Sequence, residues 1–194
     1  MRTFRLILAS SSPRRRELLA EAGVAFEVVP PPLAEPATGL EGLAPAAQAE
    51  ALAYFKARAI GPREDAYVLG ADTIVAAGDA VLGKPADAGE ARAMLLGLSG
   101  TRHAVITGVA LLAPGGRRRI ASATTYVVMR PITPAEVDQY VASGEWEGKA
   151  GAYAIQETAD RFVERVEGSF SNVVGLPVEL VRQMLEEIPG KERP

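Results

Sequence analysis

Seven residues near the start of the chain, Ser10-Ser11-Ser12-Pro13-Arg14-Arg15-Arg16, gather the groups that bind phosphate. Serine hydroxyls and the free backbone N–H groups of a helix start make an anion site. Guanidinium groups grip a phosphate with paired N–H donors. Three arginines in a first helical turn also oppose the helix dipole, at a cost of roughly a few tenths of a kcal/mol each. Local rules of this kind are broken mainly at functional sites, and a bound phosphate would remove the conflict. A solvated basic helix face is the alternative reading.

Four further segments carry chemistry. Asp72 follows the apolar run 66–71, and Thr73 comes next. A carboxylate just after a buried strand suits catalysis or metal binding, although Asp is also a common turn cap. Lys56 lies on or beside the apolar face of a helix, where by itself it reads as a snorkelling surface lysine. Gly83-Lys84-Pro85 is a rigid loop that displays a second lysine. The segment 149–156, Lys-Ala-Gly-Ala-Tyr-Ala-Ile-Gln, has small residues that admit close approach of a ligand. Its last residue, Gln156, can both donate and accept at a base edge. Asn172 and Gly175 sit in a loop beyond it. His103 reads as structural, Trp146 as packing, and Arg117, Arg118 and Arg119 as a solvated turn at a hairpin tip.

Composition narrows the chemistry. The chain has 194 residues, no cysteine and one histidine. Thiol nucleophiles, iron–sulfur clusters, Cys-based zinc sites and multi-histidine metal sites are excluded. Carboxylate, lysine, arginine and hydroxyl chemistry remains, with a hard cation held by oxygens as an option. Only 4 of the 21 basic side chains are lysines, and three of those fall in or beside the segments above. The net charge of −3 argues against a nucleic-acid-binding surface. The longest apolar stretch, Ala104 to Ala113, falls far short of the roughly 20 residues that span a membrane. The apolar run at 6–9 is too short for a signal peptide, so a cytoplasmic protein is expected.

The elements that must position these groups follow from hydrophobic periodicity and punctuation. Strands are expected at 4–9, 24–29 and 66–71, with a tight hairpin over 74–82 around Gly78-Asp79. Two long strands, 101–113 and 117–130, should meet at Pro114-Gly115-Gly116, and a last strand covers 161–167. Helices are expected at 13–22, 45–60, 87–97, 134–142 and 177–187. The first is capped by Ser12 and turns Leu18, Leu19 and Ala22 inward; the second turns Leu52, Phe55 and Ala59 inward. Residues 30–44 and 144–158 read as irregular, and the tail 189–194 as frayed. The pattern predicts one α/β domain over 1–194 with a mixed sheet, in two lobes across a cleft.

Taken in order, these segments resemble the Maf family of nucleoside triphosphate pyrophosphatases. The resemblance runs through Leu8-Ala9-Ser10-Ser11-Ser12-Pro13-Arg14-Arg15, Lys56-Ala57-Arg58-Ala59, Leu69-Gly70-Ala71-Asp72-Thr73 and Gly83-Lys84-Pro85. It continues through Leu98-Ser99-Gly100, residues 149–156 and Val173-Val174-Gly175-Leu176-Pro177. It implies a fold like that of inosine triphosphate pyrophosphatases: a curved mixed β-sheet with flanking helices, and a site between the lobes. It implies cleavage of a nucleoside triphosphate to the monophosphate and pyrophosphate, with a divalent cation (Mg²⁺ or Mn²⁺), in a homodimer. By the same resemblance Asp72 is the general base and a metal ligand. Ser10, Arg14, Lys56 and Lys84 contact phosphates, and Glu35 is a candidate for metal binding or for positioning water. Arg15, Thr73 and Gln156 match the specificity positions of the branch resembling dTTP/UTP pyrophosphatases, as opposed to the branch acting on 7-methyl-GTP. The chain departs from many members at Ala154 and Glu157, where they have glycine. A second reading, a nucleotide-binding regulator of septum formation with little turnover, predicts binding without hydrolysis.

Overall fold

Aliphatic runs bounded by Ser-Pro, Gly and Pro punctuation become strands, and the Pro-initiated segments become helices. The computed structural model describes residues 5–33, 36, 39–61, 63–78, 80–155 and 158–187. In chain order the elements are β1 (Arg5–Ala9), α1 (Pro13–Glu21), β2 (Glu27–Val28), α2 (Pro45–Ala59), β3 (Ala66–Ala77), β4 (Ala80–Leu82) and α3 (Ala88–Leu98). They continue as β5 (Arg102–Leu112), β6 (Arg118–Met129), α4 (Pro134–Ala142), β7 (Val163–Glu167), α5 (Phe170–Val174) and α6 (Val178–Glu186). The strands form one mixed sheet in the order β2-β1-β3-β5-β6-β7, with β4 also paired to β3. The pairs around β1 are parallel and the rest are antiparallel.

Several boundaries differ from the sequence reading, each for a physical reason. The strand expected at 24–29 contracts to two residues, because only Glu27 and Val28 find partners, at Ile7 and Leu8. The strand expected to stop at residue 71 instead runs twelve residues to Ala77. Asp72 and Thr73 therefore lie inside a strand and not just past its end. One helix, α5, was not expected; Ser169 caps it by accepting the Asn172 N–H, and Gly175 closes it at φ 130°. The last strand begins at Val163, after a 3-10 turn over Thr158–Phe162. Arg118 and Arg119 are not simply solvated: Arg118 donates to the Tyr54 hydroxyl at 3.0 Å, and Arg119 pairs with Glu187. Glu35, Asp79, Gln156 and the tail from residue 188 lie outside the described residues.

The face of α2 is the main correction. Leu52, Phe55 and Ala59 are only partly buried, whereas Ala49, Ala53, Lys56 and Ala57 are buried. The cause lies in the sheet. A Cβ on Gly70 of β3 would sit 2.2 Å from the Ala53 carbonyl oxygen, and one on Gly108 of β5 would sit 2.3 Å from that of Ala49. Two glycines thus let the helix backbone rest directly on the strands, and only alanines fit in the seam. Leu19 is the one fully buried residue of α1, with Leu18 partly buried beside it.

Among the described residues, the buried apolar side chains fall into four clusters, and the two largest mark the two lobes. One gathers α3, α4 and the 150–162 segment around Leu95, Val137, Tyr140, Trp146 and Phe162. Another gathers β1, α1, β3 and α6 around Leu8, Leu19, Leu69, Leu176 and Met184. Strand β3 passes through both, with Leu69 in one and Val75 in the other.

Candidate active site

The cleft is built on an interruption along one edge of β3. Strand β1 pairs with β3 only as far as Gly70, and β4 begins pairing at Val75. Among the described residues, 71–74 have no strand partner on that edge, while β5 pairs them on the other side. A crevice outside the carboxyl end of a parallel strand is where open α/β sheets bind ligands. Because successive side chains of a strand point to opposite faces, Asp72 turns toward α2, and Thr73 toward α1 and α5.

On the α2 face, the close seam brings Lys56 over the strand. Lys56 Nζ donates to Asp72 Oδ1, and both residues are buried, at 8% and 7% exposure. The pairing satisfies two charges that would each be costly alone. Asp72 Oδ2 has no hydrogen-bond partner among the described residues. Lys56, read from sequence alone as a surface lysine, is thus a wall of the site.

On the other face, the strand-to-helix turn delivers Arg15. Ser10 Oγ accepts the Ser12 N–H at 3.2 Å, and Ser12 Oγ caps α1 by accepting the Arg15 N–H at 3.5 Å. The Arg15 guanidinium donates through Nε to the Gly175 carbonyl at 2.8 Å and through Nη2 to Thr73 Oγ1 at 3.1 Å. Nη1 lies 3.5 Å from Ser10 Oγ. Arg14 and Lys84 project toward the same space without an ion pair or hydrogen bond to any described residue. The Lys84 loop is pinned across the opening, because the Gly151 N–H donates to the Gly83 carbonyl at 3.0 Å.

Together these groups line a cleft of about 160 Å³ that continues into a second space of about 450 Å³ beside Ser10–Arg15 and Leu33. The structure therefore brings together Ser10, Arg14, Arg15, Lys56, Asp72, Thr73 and Lys84. Glu35 and Gln156 are outside the described residues, although the neighbouring residues Tyr153, Ala154 and Ile155 line the cleft. Sequence reasoning did not foresee the role of the Gly175 carbonyl; its signal was a lone glycine ending a Ser-initiated run. Lys149 also lines the cleft. His103 is structural, as read. It is 1% exposed, bonds Tyr153 OH at 2.7 Å, and burial pushes its pKa down to about 4.

Asp72 is the one carboxylate among the described cleft residues, and these residues hold no group of three or more His, Asp or Glu that could form a metal cage. A single carboxylate fits a small hard cation of the Mg²⁺ type, which commonly takes its other ligands from water and substrate phosphates.

A sequence profile described as Maf-like protein matches residues 5–188. The chain belongs to the Maf family. Among curated relatives of this Maf-like chain is a dTTP/UTP pyrophosphatase of Pelotomaculum thermopropionicum. It is 46% identical over 184 residues, covering 94% of this chain and 95% of that protein. A protein of the same name from Moorella thermoacetica is 48% identical over 183 residues, covering 93% of both. Among solved structures, a HAM1 protein from Coxiella burnetii superposes with a TM-score of 0.52 at 16% identity, covering 96% of this Maf-like chain and 100% of that one. At that identity the likeness speaks to the fold, and it agrees with the mixed sheet and cleft expected from the sequence.

Proposed function

We propose that this Maf-like chain hydrolyses nucleoside triphosphates, dTTP and UTP in particular, to the monophosphate and pyrophosphate. The observation that carries the reading is the charge arrangement of the cleft. Arg14 and Lys84, with no counter-ion among the described residues, flank a buried Asp72–Lys56 pair. Uncompensated cations around a carboxylate call for a polyanion that brings its reactive atom to that carboxylate. The relatives named dTTP/UTP pyrophosphatase support the choice of substrate.

In this reading Lys56 fixes Asp72 through Oδ1, and Asp72 Oδ2 accepts a proton from the attacking water. The water oxygen bonds to the α-phosphorus, the bond from that phosphorus to the bridging α–β oxygen breaks, and pyrophosphate leaves with the electron pair. Arg14, Lys84 and the Ser10–Ser12 turn neutralise charge on the departing phosphates. Arg15 and Thr73 face the base-recognition side, with Gln156 as the amide that reads a pyrimidine edge. A divalent cation held by Asp72, with Glu35 as a second candidate ligand, would lower the pKa of bound water and offset phosphate charge. The family's homodimer and a cytoplasmic setting complete the reading. Sedimentation of the purified chain measures the first.

The test is a panel of dTTP, UTP, 7-methyl-GTP and inosine triphosphate with Mg²⁺ or Mn²⁺, scoring pyrophosphate against orthophosphate. Pyrophosphate from dTTP and UTP is expected. Asp72→Asn should abolish it with circular dichroism unchanged. Orthophosphate release, or full turnover by Asp72→Asn, overturns the mechanism. Tight triphosphate binding without turnover would favour the septum-regulator reading.

A further inference from the structure

A closed ring of hydrogen bonds surrounds the Arg15 guanidinium, and its remotest side chain does not reach the cleft. Arg15 Nη2 donates to Thr73 Oγ1 at 3.1 Å. Thr73 Oγ1 and Thr107 Oγ1 lie 2.9 Å apart, and Thr107 Oγ1 donates to the Asn172 carbonyl at 3.2 Å. That carbonyl also accepts the Gly175 N–H at 3.1 Å. The Gly175 carbonyl then accepts Arg15 Nε at 2.8 Å, which closes the ring.

Each hydroxyl has one proton, and this fixes the direction of the ring. Thr107 gives its proton to Asn172, so Thr73 must give its own to Thr107. Thr73 then accepts from Arg15, and its weaker 3.3 Å approach to the Gly175 carbonyl goes without a proton. Two donor chains leave Arg15, one through Thr73 and Thr107 and one through Gly175, whose N–H is shared with the Ser171 carbonyl at 3.1 Å; they meet at the Asn172 carbonyl, and within each chain one bond polarises the next. Asn172 anchors the ring to the sheet: its Nδ2 donates at 3.0 Å to both the Val105 carbonyl and Thr125 Oγ1. Thr107 and Asn172 are both fully buried.

From this ring we infer that Thr107 is a positioning residue for nucleotide recognition, acting through Thr73, Gly175 and Arg15. The inference rests on the proposed function and deepens it. The chemistry of cleavage sits across β3, at Asp72 and Lys56, where Thr107 makes no bond. Removing the Thr107 hydroxyl breaks two links of the ring. It frees the Thr73 hydroxyl to turn its proton toward the Gly175 carbonyl, where it competes with Arg15 Nε, so both partners of the guanidinium are held less firmly.

The experiment compares Thr107→Val, which keeps the side-chain shape, with the conservative Thr107→Ser. Two readouts are taken, and one needs no substrate. In the free protein, the ¹⁵N-labelled Arg15 Nε–H should exchange slowly. The exchange should quicken in Thr107→Val and return to slow in Thr107→Ser. In steady-state hydrolysis of dTTP and UTP, Thr107→Val should raise KM about tenfold while kcat stays within about twofold, and Thr107→Ser should restore KM. Unchanged Nε–H exchange in Thr107→Val overturns the inference. So does an equal fall in kcat and kcat/KM that tracks lost thermal stability, which would make Thr107 merely structural. If the wild type does not hydrolyse pyrimidine triphosphates, the functional reading fails and Thr107 loses its recognition role, while the exchange data still report on the ring.

Discussion

Replacing Gly70 by alanine would put a methyl carbon 2.2 Å from the Ala53 carbonyl oxygen and 2.9 Å from the Ala57 amide nitrogen. The first distance is more than 1 Å short of ordinary contact. Both neighbours are backbone atoms of α2, so no rotamer change relieves the clash and the helix must lift away from β3. Forced overpacking of this kind costs about 3 kcal/mol, the upper end of its usual range. For a chain of this size that lowers Tm by roughly 6–12 °C. Lifting α2 also carries Lys56 off Asp72, so activity measured well below the new Tm should fall at least about tenfold. Scanning calorimetry gives the first effect, and pyrophosphate release at 20 °C the second. Gly97→Ala is the matched control. It is an exposed helical glycine with nothing within 4 Å of the added carbon, and it should stabilise by about 0.5–1 kcal/mol with full activity. Shaving Ala57 to glycine should not rescue Gly70→Ala, because the worst contact is with a carbonyl. A Gly70→Ala protein that melts within 2 °C of wild type would refute the close-seam reasoning.

Three other outcomes are expected. Lys56→Met and Asp72→Asn break the same ion pair, so the double variant should lose no more kcat/KM than Asp72→Asn alone; additive losses would separate their roles. His103 is neutral in the fold, with its pKa depressed to about 4 by burial, whereas the unfolded chain takes up a proton near pH 6.5. Its contribution is therefore complete above pH 6.5 and is lost between there and pH 4, by about 3 kcal/mol. Urea midpoints from pH 7 to pH 4 should show that decline, and His103→Gln should flatten it. Chelation with EDTA should stop hydrolysis and added Mg²⁺ or Mn²⁺ restore it, measured as pyrophosphate release; undiminished turnover in EDTA would remove the cation from the reaction.

The order of strands and helices was legible because punctuation such as Ser12-Pro13, Thr133-Pro134 and Pro114-Gly115-Gly116 acts locally. Thr133, for example, caps α4 in a reciprocal box with Glu136. The orientation of α2 was not legible. Periodicity ranks Leu52 and Phe55 above the alanines, but the deciding partners, Gly70 and Gly108, lie on other elements, and their missing Cβ atoms select for small neighbours. The same blindness made Lys56 look like surface. Asp72 was read at the end of a strand because a charge usually ends a buried run. Here β5 keeps pairing past it while β1 does not, a fact of sheet topology that no local window holds. Residues 10–15 were the easiest part of the site to find, since a helix start, its cap and its arginines are contiguous in sequence.

The alternation of side chains along β3 separates two kinds of change. Positions 72, 56 and 70 share one surface of the strand, and positions 73, 107 and 15 serve the other. Mutational libraries can therefore be split by residue parity. Under the proposed function, varying the odd positions of the strand and their neighbours would explore which nucleotide is accepted, while the Asp72–Lys56 pair is left on the far side of a single backbone. Evolution has the same option, since a substitution on one surface leaves the contacts of the other in place.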